Sequence, residues 1–113
     1  MNIIREPKNI DKMTIYKMTK SPAIKGFRDI SEDETVKVTD SLIYSEVNSD
    51  GKEVEILSLL TDKGVFAGNS GTIRKNFDEI IDIVGTDEFI AHFKKGVSKN
   101  GREFIQLVLD EVL

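Results

Sequence analysis

No cysteine occurs in the 113-residue chain, which excludes disulfides, thiolate zinc sites and a cysteine nucleophile together. Histidine appears once, at His92, and a metal centre on a single imidazole would need carboxylates converging on it. No metal-ligand spacing supplies them. Nor does His92 stand in any serine–histidine–acid pattern, so nucleophilic catalysis has no carrier. The glycines follow neither a phosphate-loop nor a dinucleotide-binding fingerprint. No apolar run approaches the roughly 20 residues that span a bilayer. The start, Met-Asn-Ile-Ile-Arg-Glu-Pro, has no apolar stretch behind a basic one, so no signal peptide is expected. The expectation is a small domain with no enzymatic activity, no cofactor, no metal and no membrane partner, and a cytoplasmic home fits the lack of cysteine.

Charge is what the chain has in quantity, and it is segregated. The net charge is −4. Residues 1–28 carry seven Lys/Arg against two acids, residues 29–90 five against fifteen, and residues 91–113 four against three. Two runs hold no acid at all, 12–28 with five cations and 91–102 with four. An acidic protein can still present a basic face if such runs meet in space.

Residues 1–11 mix polar side chains with Pro7 and read as a flexible arm. Alternation over 13–18 suggests a short strand. Ser21-Pro22, Gly26 and the acidic cluster 29–34 mark a long loop over 19–34. From Thr35 the pattern is β, with Val36, Val38, Leu42 and Tyr44 on one alternating face and Ile43 and Val47 on the other. Asn48-Ser49-Asp50-Gly51 and Thr61-Asp62-Lys63-Gly64 are turn sequences, placing strands over 54–60 and 65–67. Ser70 or Asn69 can cap a helix over 70–84, whose stripe of Ile73, Phe77, Ile80, Ile81 and Val84 has helical period. Gly85 suits its end. A strand over 88–95 and one over 104–109 then flank Asn100-Gly101, a strong hairpin signal.

Three strands, a helix and two strands is the order of the OB-fold, a small barrel whose face and loops bind oligonucleotides or oligosaccharides. The fold class expected is therefore mostly β: one domain, an OB-like barrel of five to six strands with one helix between the third and fourth core strands.

The chain from Glu53 onward resembles small single-stranded DNA-binding proteins of bacteriophages. The segments that carry the likeness are Ile56-Leu57-Ser58-Leu59-Leu60-Thr61-Asp62, Val65-Phe66-Ala67-Gly68-Asn69-Ser70 and Lys95-Gly96-Val97-Ser98-Lys99-Asn100-Gly101-Arg102-Glu103-Phe104. The resemblance implies an OB-type barrel that coats single strands in phage DNA replication or recombination, inside the host cytoplasm. Replication proteins and a second copy of the chain are the further partners it implies. The long acidic tail of bacterial relatives has no counterpart here. Only Asp110 and Glu111 precede Val112-Leu113, so recruitment through such a tail is not expected.

Sequence-tolerant capture of a single strand needs cations along the phosphates and aromatic faces under the bases. The first basic run offers Lys12, Tyr16, Lys17, Lys20, Lys25, Phe27 and Arg28, with Tyr16 and Phe27 as stackers unless they pack into the core. The second offers Lys94, Lys95, Lys99 and Arg102 around one hairpin, while Phe93 shares a face with Phe89 and reads as core. Arg74 and Lys75, in the first helical turn, add cations where backbone N–H groups also attract anions. The loop 20–28 and the hairpin 94–102 are expected to border one groove. The rival reading is a module that inhibits a host enzyme, its acidic middle segment mimicking nucleic acid.

Overall fold

The computed structural model describes residues 1–32 and 34–113. Asp33, within the acidic run 32–34, lies outside them. In chain order the elements are β1 (Asn2–Arg5), α1 (Lys12–Thr19), a 3-10 turn (Phe27–Asp29), β2 (Thr35–Val47), β3 (Glu53–Thr61), β4 (Gly64–Gly68), α2 (Gly71–Val84), β5 (Phe89–Val97) and β6 (Glu103–Val112). The fold is mostly β. All pairings between these strands are antiparallel, in the order β4-β3-β2-β5-β6, with β1 beside β2.

β2 organises the sheet because it is long enough to hold two partners in succession on one edge. β5 pairs with 35–38, β1 pairs with 43–45, and β3 runs along the opposite edge. The β2–β3 register shifts between Val38 and Asp40, so Thr39 is a bulge. One extra residue inverts the alternation. Val36, Val38 and Ile43 therefore enter one core cluster, while Leu42 and Tyr44 enter another. This corrects the expectation of Val36, Val38, Leu42 and Tyr44 on one face.

The larger cluster lies between the sheet and α2, where Ile73, Phe77, Ile80 and Val84 are buried. Ser70 caps the helix by accepting from Ile73 N at 3.2 Å. Gly85 ends it at a φ of 63°, a conformation that a side chain would strain.

The smaller cluster lies on the other side of the sheet, under α1. Met18 packs there with Leu42, Tyr44 and Val65. The strand expected over 13–18 is thus a helix, and the described residues form two α-helices rather than one. Asp11 caps α1, its carboxylate accepting from Thr14 N at 2.8 Å and Thr14 Oγ1 at 3.1 Å. These bonds hold the Asp11 carboxyl below its usual range. The 1–11 segment is also more ordered than a flexible arm. Beyond β1, the backbone N–H groups of Lys8 and Asn9 donate to the Asp40 carboxylate at 2.8 and 3.2 Å.

Ser58, on β3 between Leu42 and Ala67, is fully buried. Its Oγ has no hydrogen-bond partner among the described residues. A buried hydroxyl without a partner opposes folding by about 1–3 kcal/mol. Ser58→Ala is therefore expected to leave stability unchanged or raise it by about 1 kcal/mol. A clear fall in the urea midpoint would contradict this.

Candidate nucleic-acid interface

The sheet is not closed into a barrel. β4 and β6 end the strand order, and other groups occupy the outer edge of each. Along β4, Lys25 N donates to Val65 O and Ala67 N donates to Lys25 O, both at 2.9 Å. On β6, Leu107 N donates to the Asn76 side chain of α2 at 3.0 Å. With these edge groups satisfied, the two strands have less to gain from pairing, and a seam remains between them.

Phe27 fills that seam. Its ring lies 5.5 Å from the Phe93 centroid and is 5% exposed. It also rests on Gly68, where an added Cβ would sit 3.1 Å from the ring. The expectation that Phe27 stacks on a base is corrected, because the ring is buried as a plug in the core.

From Phe27 the chain passes at once to Arg28, which reaches the other side of the seam. Lys95 Nζ donates to the Arg28 carbonyl at 3.1 Å, and the Arg28 guanidinium stands 3.7 Å from Glu103. Two clefts meet at Arg28. One is lined by Gly26, Ala67, Asn69 and Ile105 among others, and the next by Lys95, Gly96, Val97 and Phe104. Loop 20–28 thus touches the hairpin through its last residue. The hairpin tip carries Lys99 and Arg102, both exposed. It is pinned by Ser98 N donating to Arg102 O at 2.8 Å, with Gly101 at a φ of 79°.

The remaining expected residues are dispersed. Lys25 stays on the β4 edge, its ammonium 5.8 Å from the Phe66 ring centroid. Lys94 shares a shallow cleft with Glu32, His92 and Asp110, and His92 Nδ1 lies 2.9 Å from the Asp110 carboxylate. Tyr16 and Lys17 are exposed on α1, beyond the sheet from α2. Lys20 is paired with Glu46, and that hydrogen bond raises the lysine above its usual range. Arg74 bonds Glu55 at 2.7 Å and Asp78 at 3.2 Å. The bond to Glu55 raises its already high pKa. Both cations are charged at neutral pH, but each already has an anion, so a phosphate would have to displace a carboxylate. Lys75 is exposed beside Arg74 and forms no ion pair among the described residues.

Phe104 is a candidate that the sequence reading does not single out. It pairs across the hairpin with Gly96 and is partly exposed. A signal for it exists, since counting back from Asn100-Gly101 sets Phe104 opposite that glycine. Comparison of this chain with protein-family models, curated proteins and solved structures finds no match.

Proposed function

We propose that the protein binds single-stranded DNA without sequence preference, along the seam between β4 and β6 and over the hairpin beyond it. The observation that carries this reading is the meeting of Arg28 and Lys95, 67 residues apart in the chain. With Lys99 and Arg102 at the adjoining tip, the two acid-free runs contribute to one side of the molecule. Crowding like charges is unfavourable, and among the described residues only Glu103 forms an ion pair with Arg28 in return. A phosphate backbone would relieve the repulsion.

The strand plan supports the same reading. A three-strand meander, a helix and a returning hairpin, with the first long strand pairing both groups, is the plan of an OB-type barrel left partly open. Such barrels use the outer face of their second and third strands and the adjoining loops. Here α1 packs over that face, against β3 and β4. This leaves the seam and the hairpin loop for a ligand. The biological setting proposed is phage DNA replication or recombination.

A second reading rests on α2. Its outer surface shows Asp78, Glu79 and Asp82 around Ile83, which is 76% exposed. An acidic face with an apolar centre suits a basic protein partner, such as a host enzyme that it inhibits.

One titration separates the two. Labelled oligo(dT) should bind in low salt and weaken steeply as salt rises, while duplex DNA should bind more weakly. Absence of oligo(dT) binding at low salt would sink the nucleic-acid reading and favour the protein partner.

A further inference from the structure

The hairpin of β5 and β6 leaves the body of the sheet carrying one large aromatic side chain, Phe104. Its cross-strand partner is Gly96, and the glycine has a geometric reason. A Cβ on residue 96 would stand 2.4 Å from Phe104 Cζ, 2.9 Å from Cε1 and 3.0 Å from Cε2. The far end of the ring therefore lies over the Gly96 backbone, in space that any other residue would fill. Resting on backbone fixes the ring, while its partial exposure keeps it open to solvent.

One cation stands on the same face, in a cleft that it shares with Glu32, His92 and Asp110. Lys94 and Gln106 form the next pair on the same face, and a diagonal neighbour in a sheet is within reach of an aromatic ring. On the opposite face of β5, Lys95 and Arg28 line a cleft whose edge Phe104 and Gly96 form, with Glu103 as its acid. A fixed aromatic face beside a cation is what a base and an adjoining phosphate require.

We infer that Phe104 is a base-stacking platform, with Lys94, its neighbour on the same face, placed to meet a phosphate beside the stacked nucleotide. The inference rests on the single-stranded DNA reading and goes further, assigning to Phe104 the stacking role expected of Tyr16 and Phe27. Gly96 is a positioning residue here, keeping the ring where a base can reach it.

The chain has no tryptophan, so Phe104→Trp installs a single tryptophan at the platform, whose emission can be excited apart from the two tyrosines. Saturating oligo(dT) should quench its emission, as stacking on a base does. Phe104→Leu still covers Gly96 with apolar surface but has no π face. It should keep the denaturation midpoint while weakening oligo(dT) binding about 5- to 150-fold, with an unchanged salt slope. Suppose instead that the parent protein binds oligo(dT), that the emission of the Phe104→Trp variant is not quenched, and that Phe104→Leu binds equally well. The platform is then refuted and DNA binding stands. If the parent protein does not bind, the DNA reading fails, and the platform with it.

Discussion

Phe77→Ala is expected to destabilise the protein by about 3–5 kcal/mol, the range for removing a fully buried phenylalanine. The ring is 1% exposed at the middle of α2, within the larger cluster, and the Arg5 guanidinium lies 5.6 Å from its centroid. Truncation loses the transfer energy of the ring and leaves a cavity that the rigid sheet cannot close. For a domain of this size the melting temperature should fall by about 12–20 °C, at roughly 4 °C per kcal/mol. The urea slope should be unchanged if the same surface is exposed on unfolding. A near-neutral midpoint would mean that α2 does not seal this side of the sheet.

The second large effect concerns binding. If Arg28, Lys95, Lys99 and Arg102 each meet one phosphate, together they should contribute about −2.8 to the slope of log affinity against log salt, at roughly −0.7 per contact on a single strand. Raising salt from about 50 to about 200 mM then weakens binding roughly 50-fold through these contacts. Reversing Lys99 and Arg102 together to glutamate should halve that contribution and reduce the loss through them to about 7-fold. It should also weaken binding at every salt concentration. Both residues are exposed at the hairpin tip, so their reversal should change folding stability by no more than about 0.5 kcal/mol. An unchanged slope in a well-folded double variant would show that the tip does not touch phosphates.

The elements from β2 to β6 are legible in the sequence because their signals are local. The Asp-Gly and Asn-Gly turns set registers, and the stripe from Ile73 to Val84 has only a helical period. The first third is less legible. Residues 13–18 alternate by chance, and the true stripe is Thr14, Ile15, Met18 and Thr19, the side chains that α1 turns toward the sheet. Asp11 before that stripe is the cap that marks the helix. β1 has four residues and gives too short a pattern to read without its partner.

The candidate site divides in the same way. Cationic character is written in the sequence, but which cation is already neutralised depends on contacts between distant elements. Arg74 meets Glu55 and Lys20 meets Glu46 only after β3 and β2 are in place. Phe27 has the local context of a loop aromatic. Its burial follows from a gap between β4 and β6 that no local pattern announces.

The bulge at Thr39 acts as a frame shift within a single strand. Before it, the even positions of β2 face α2. After it, the odd positions do, and the even ones from Asp40 to Glu46 face α1 and the segments flanking it. Tolerance to substitution along β2 therefore has a phase that reverses at one residue. A redesign of α1 would have to be matched at positions 42 and 44, and could leave 36, 38 and 43 untouched. One strand thus carries two independent alphabets, and Thr39 is the punctuation between them.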